Sequence, residues 1–117
     1  MSMEADLAVA LKALCTRVYP DTAPAATPTP YITWQALGGE SIYTLSNAPI
    51  DKRRTLMQVN VWAASRLQAT TLSRDIEAAL AGTAAFVATP TGEPMSVYET
   101  DTKLYGSIQR FDIWSSR

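Results

Sequence analysis

TLMQVNVWAASRLQATTLSRDIEAALAG, residues 55–82, changes its hydrophobic period partway along. Up to Ala63 the period is two. Thr55, Met57, Val59, Val61 and Ala63 share one face, and Leu56, Gln58, Asn60 and Trp62 share the other, which is a strand with one side turned to a core. From Arg66 to Ala81 the period is helical: Leu72, Ile76, Ala79 and Leu80 form an apolar stripe, extended by Ala69 and Thr83, while Arg74, Asp75 and Glu77 look outward. Ser65 is placed to cap this helix, with Gln68 three positions on as in a capping box. Gly82 is placed to end it in a left-handed conformation. The strand's second face sets Leu56 and Trp62 beside Gln58 and Asn60, which is too apolar for a face left in water and favours self-association.

Working outward towards the N-terminus, a first helix spans about Met3 to Thr16, with Leu7, Leu11, Leu14 and Val18 as its stripe and Ala10 between them. Ser2 is its expected cap; Glu4 and Asp6 suit the positive end of the helix dipole, and Lys12 and Arg17 the negative end. Pro20, Pro24, Pro28 and Pro30 then make an extended crossing loop. No basic anchor flanks it, so it does not read as a polyproline recognition peptide. Tyr31 to Leu37 alternates as a strand, with Ile32, Trp34 and Ala36 opposite Tyr31, Thr33 and Gln35. Gly38-Gly39 breaks it. The polar stretch 38–54 reads as a long loop, of the kind that is either mobile or functional.

After the second helix, Thr83–Thr89 is a short strand, residues 90–94 a turn, Met95–Thr100 a strand, Asp101-Thr102 a turn and Leu104–Ser115 a final strand. That last strand sets Tyr105, Ser107, Gln109, Phe111 and Ile113 on one face and Leu104, Gly106, Ile108, Arg110, Asp112 and Trp114 on the other. The order is a helix, two or three strands, a helix and three strands; taken as α-β-β-β-α-β-β-β, it implies an α+β fold, a single domain over 1–117 with two helices packed on one face of a mainly antiparallel sheet.

Composition narrows the function. The 117 residues are 47% hydrophobic and 18% charged, enough apolar surface for one folded domain. Ten Lys and Arg stand against eleven Asp and Glu, an acidic balance that argues against gripping phosphate backbones. No apolar run approaches the roughly 20 residues of a membrane-spanning helix, and acids near the N-terminus replace the positive charge of a secretory signal, so a chain made in the cytoplasm is expected. There is no histidine, which removes the commonest general base and zinc ligand together. Cys15 is single, with no base to activate it, and reads as a small buried hydrophobe. The acids Asp51, Glu93, Glu99, Asp101 and Asp112 are scattered, and no lysine and hydroxyl follow the glycines as a phosphate loop requires. Lys52, Arg53 and Arg54 form the basic cluster. Beside Asp51 they read as solvated charge or as ion pairs to a neighbouring subunit, in preference to a nucleic-acid grip.

The leading helix, Val18-Tyr19-Pro20, the strand entry Pro30-Tyr31-Ile32, the run Met57-Gln58-Val59-Asn60-Val61-Trp62-Ala63 leading into a helix that ends Ala79-Leu80-Ala81-Gly82, and the closing Arg110-Phe111-Asp112-Ile113-Trp114 together resemble the tail-completion family of long-tailed bacteriophages, also called neck or tail-to-head joining proteins. The resemblance implies a structural virion protein, similar in fold to tail terminators. It would form a ring, sixfold in related tails, at the head-proximal end of the tail tube, and join that tube to the head-completion or connector proteins, with the genome passing through its lumen. It implies no catalytic residue, cofactor, metal or membrane. The expected contact surfaces are the loop residues Glu40, Ile42, Tyr43, Asp51, Lys52, Arg53 and Arg54 and the far-face residues Leu56, Trp62, Ile108 and Trp114. The alternative is a cytoplasmic adaptor that binds a peptide or protein at its sheet edge.

Overall fold

The computed structural model describes residues 3–43 and 49–116. It contains α1 (Met3–Lys12), β1 (Val18–Pro20), β2 (Tyr31–Tyr43), β3 (Pro49–Ala63), α2 (Arg66–Gly82), β4 (Val87–Pro90), β5 (Met95–Glu99) and β6 (Leu104–Ser116). The element order and the α+β class are those read from the sequence. The sheet runs β1-β2-β3-β6-β4, with β5 also on β6, and every pairing is antiparallel except β1 with β2.

Alternation fixes the two faces of the sheet as expected. Met57, Val59, Val61 and Ala63 of β3 are buried with Ile32 of β2 and Phe111 and Ile113 of β6. Met3, Leu7 and Leu11 of α1 and Ala69, Leu72, Ile76 and Leu80 of α2 close the same core. Both helices therefore cover one face. Ser65 accepts a hydrogen bond from the Gln68 amide, and the Gln68 side chain accepts one from the Ala64 amide, one residue earlier than a capping box would place it. At the start of α2, Arg66 donates to the Gly106 and Val97 carbonyls, each at 2.7 Å, and lies over the Tyr105 ring. This fastens the helix end to the β5–β6 pair.

Several boundaries move, each for a local reason. α1 ends at Lys12, where the Leu14 and Cys15 amides both turn back to the Leu11 carbonyl; helical spacing stops applying there, so Cys15 is buried and Leu14 is exposed. The proposed cap Ser2 lies outside the described residues. Gly82 stays within α2, and the cap is Thr83 with extended backbone, φ −76° and ψ 144°. The crossing loop is tied down by Arg17, which donates to the Thr29 and Pro30 carbonyls.

Residues 38–54 are mostly strand. Gly38 and Gly39 do not end β2; they allow a bulge, in which Leu37 and Gly38 together oppose Leu56, before pairing resumes at Gly39 with Thr55. Gly39, at φ +148°, has no room for a side chain, because a Cβ there would run into the backbone of Arg54 and Thr55. Of the expected loop, residues 44–48 lie outside the described residues. The strands on either side form an arm, and the long axis of the molecule, 52 Å, matches the roughly 50 Å of a 15-residue strand such as β3. The radius of gyration is 15.1 Å, against about 13 Å for a compact chain of this length.

Two adjacent arginines secure the arm where it leaves the body. Arg53 points to the helix side and meets Glu4 of α1 at 2.6 Å. Arg54 points to the other side, where its Nε and Nη2 hold the Asp112 carboxylate at 2.6–2.8 Å. The sequence reads these arginines as solvated or as ion pairs to a neighbouring subunit; within the single chain each has an acidic partner of its own.

At the C-terminal edge, residues 90–94 do not fold β4 back against β5. Both strands pair with β6, one after the other along the same edge, and run in the same direction. Pro90 and Pro94, without amide donors, flank the interruption, while the Thr91 amide still reaches the Arg110 carbonyl.

Two outcomes test this architecture. A Cβ at Gly106 would lie 2.6 Å from Val97 Cγ2 and 2.7 Å from Trp62 Cζ3, so Gly106→Ala should lower unfolding free energy by about 1–3 kcal/mol in denaturant titration. The hydrogen bonds and charge of Arg54 hold the Asp112 carboxyl below its ordinary range despite the opposing effect of burial. A pKa lower in the folded than in the unfolded state gives stability that is present above the unfolded value and lost as pH falls through the folded one. Asp112→Asn should therefore lower Tm at pH 7 by about 2–4 °C, with the difference from wild type shrinking below about pH 4.

Candidate assembly surface

The sheet face away from the helices has a defined pattern. It is built from Tyr31, Thr33 and Gln35 of β2, the even-numbered residues of β3 from Arg54 to Trp62, the even-numbered residues of β6 from Leu104 to Trp114, Met95 and Val97 of β5, and Val87 and Thr89 of β4. Among the described residues neither helix lies over it.

Its middle is a polar ribbon that crosses three strands. Arg110 Nε donates to Gln58 Oε1 at 3.3 Å, Gln58 Nε2 to Asn60 Oδ1 at 3.1 Å, and Asn60 Nδ2 to Thr33 Oγ1 at 3.2 Å. The Arg54–Asp112 ion pair lies beyond it on the same face. Apolar groups gather at the two ends. At one end, Trp62 packs over Gly106 and Val97, with Tyr31 opposite it on β2 and Ile108 and Met95 alongside. At the other end are Leu56, Trp114 and Val87. Trp114 is 40% exposed, Met95 56% and Val87 64%.

The four far-face residues named from the sequence are thus on one face but in two groups, Trp62 with Ile108 and Leu56 with Trp114. Six residues of strand separate Leu56 from Trp62, about 20 Å. Tyr31, Val87, Met95 and Val97 belong to the same surface and were not singled out. The alternation of β2 places Tyr31 there. Val87 and Val97 needed the knowledge that β4 and β5 share one edge of β6. Burial, with the Glu99 charge adding to it, raises the Tyr31 hydroxyl above the ordinary phenol range and keeps it neutral.

Of the arm residues, Glu40 pairs with Arg54 across the two strands and Lys52 with Ser116, while Ile42, Tyr43 and Asp51 lie further out on the same two strands. The side chains of Glu40, Ile42, Tyr43, Asp51 and Lys52 are outside the described set. Arg53 faces the opposite side from Leu56 and Trp62, so the candidate residues do not form one continuous patch.

Two carboxylates share a cleft elsewhere. Glu77 of α2 and Glu93 line about 390 Å³ with Arg74, Ser73, Ser96 and Ser107, and Gln109 Nε2 donates to Glu77 and to the Gly92 carbonyl. The chain has no histidine to act with them. Cys15 is buried against the Pro30 carbonyl, its Sγ 3.3 Å away. Among the described residues no three His, Cys, Asp or Glu side chains converge on a possible metal position, and no helix is long and apolar enough to cross a membrane.

A search among curated proteins finds no individual relative that matches the chain. The model of one protein family, described as tail completion protein gp17, matches residues 4–116, from the first turn of α1 to the end of β6. With nearly its whole length inside that match, the chain belongs to the tail completion protein gp17 family, a family of structural proteins of the phage tail.

Proposed function

We propose that the protein acts as a ring of identical subunits, most simply six, at the head-proximal end of the phage tail, where it joins the tail tube to the head-completion or connector proteins. Family membership supports a tail component. The observation that supports assembly is the sheet face opposite the helices, with its exposed Trp114, Val87 and Met95 and no helix over it among the described residues. A ring needs heterologous contacts, one patch of each subunit meeting a different patch of the next. The two apolar ends of the face supply one surface, and the arm formed by β2 and β3, with Glu40, Ile42, Tyr43, Asp51 and Lys52, supplies a second. A contact of at least about 1,000 Å² would hold such a ring. The mechanism is geometric, with no chemical turnover. The genome passes through the lumen without specific binding, in keeping with a net charge of −1, since strong phosphate contacts would hold the DNA in place.

A second reading has its own support. β1 pairs with β2 only at Ile32–Trp34, so the outer side of β2 beyond Gln35 carries no strand among the described residues. An adaptor taking an extended peptide at that edge would use this feature.

Trp114→Asp combined with Val87→Asp separates the two. Both side chains are exposed, so Tm should change by no more than about 4 °C. In a phage carrying the doubly substituted gene, electron microscopy should show full heads and unattached tails, and light scattering should show loss of any multimer formed by the wild type alone or on tail tubes. Normal joined virions from the double variant would sink the assembly reading, and retained binding of an extended peptide by a strictly monomeric wild type would favour the adaptor.

A further inference from the structure

The two arginines at the root of the arm are held in different ways. Arg54 uses the side-on fork of its guanidinium, Nε and Nη2 together, on Asp112. Arg53 presents the same fork on the other side of the sheet, but among the described residues only Nη2 is engaged, by a single Glu4 oxygen at 2.6 Å. Its Nε is buried and, among the described residues, has no hydrogen-bond partner. A buried unpaired donor on a charged group costs free energy that a second acceptor oxygen would recover.

Nε itself is closed to solvent, and the pair borders a cleft from which a second acceptor would enter as Glu4 moves aside. A cleft of about 370 Å³ lies at this point, lined by Glu4, Ala36, Gly38, Gly39, Arg53, Arg54 and Thr55. The two glycines leave part of its strand wall without side chains, and Gly39 is held bare by its contact with Arg54 and Thr55. Glu4 and Arg53 are each more than a third exposed at their side chains, so solvent screens their pairing and a competing anion can reach it.

We propose that Glu4 is a placeholder and that Arg53 is the receptor for a carboxylate supplied by another polypeptide, an aspartate or glutamate side chain that displaces Glu4 and takes Nε and Nη2 together. The fork matches a planar carboxylate with two oxygens. A nucleic-acid phosphate fits less well. Backbone recognition draws on several cations at once, whereas here Arg54 is committed to Asp112 and the chain is acidic overall. The proposal does not depend on the subunits forming a ring.

The test follows the arginine Nε–H resonances of the full chain by NMR. The probe is a blocked tripeptide with one glutamate between two glycines, compared with its glutamine counterpart and with acetate, inorganic phosphate and chloride at matched ionic strength. The glutamate peptide should shift the Arg53 signal saturably, the glutamine peptide and chloride should not, and the Arg54 signal should stay in place. Glu4→Gln, with Glu4→Ala as a second variant, should lower the half-saturating peptide concentration by about two- to fivefold, the range expected on removing a part-exposed competitor. Arg53→Lys, which keeps the charge and loses the fork, also removes the Arg53 signal, so its binding is read from the backbone amide signals of Gly38, Gly39 and Thr55 that line the cleft; these should shift with the glutamate peptide in the wild type and no longer shift in the variant, while the Arg54 signal reports an intact fold. The proposal fails if the glutamate and glutamine peptides act alike, if removing Glu4 leaves the half-saturation point unchanged, or if phosphate binds and the glutamate peptide does not.

Discussion

The unbroken pairing of β3 with β6 is the constraint on which the rest of the structure depends. Twelve successive residue pairs, from Lys52 with Ser116 to Ala63 with Tyr105, run without a bulge. Because side chains alternate, a slip of one residue along this ladder would move Met57, Val59 and Val61 from the core to the open face and bring Gln58 and Asn60 inward. The helices packed over the opposite side hold the register, since Leu7, Leu11, Ile76 and Leu80 are fully or almost fully buried against it. The open face follows from the same ladder. Whatever does not face the helices must face outward along the full length of two long strands.

The edges of the sheet are treated differently from its face. β1 is three residues long and ends in Pro20, and the opposite edge is cut in two between Pro90 and Pro94. β2 is bulged at Leu37–Gly38, where its outer edge first becomes free. Short strands, prolines and bulges all hinder strand addition by another chain. With edges blunted in this way, strand addition is hindered, and the proposed assembly would use the face and the arm instead.

How much of this was legible depended on the range of the interaction. The faces of β3 and β6 and the buried stripe of α2 were readable, because alternation and helical spacing report local geometry and the core agreed with them. The end of α1 was misread because Leu14 kept helical spacing after the backbone had already turned at Leu11. The strands through Glu40–Tyr43 and Pro49–Arg54 were hidden because Gly38-Gly39 signals a break and the residues beyond are polar, whereas pairing with β3 and β6 overrides both. The roles of Arg53 and Arg54 could not be read at all. Their partners lie 49 and 58 residues away, and no local pattern points to Glu4 or Asp112.

A subunit that exists free and then assembles, as proposed, would place opposing demands on its contact surface. A fully apolar face would aggregate before it assembled, and a fully polar one would gain little on being covered. The polar ribbon from Arg110 through Gln58 and Asn60 to Thr33 would answer both demands. It divides the apolar surface into two separate ends, so neither forms one broad patch in the free chain. Its amide groups also bond to one another and not solely to water, so covering them removes fewer solvent contacts than unpaired side chains would lose. Trp62 and Trp114 can then be covered from outside while the strip between them keeps its own hydrogen bonds. The alternation of apolar and polar side chains on β3, which from the sequence alone reads as too apolar for a face left in water, would in physical terms let the proposed contact surface be stable both in water and under a neighbour.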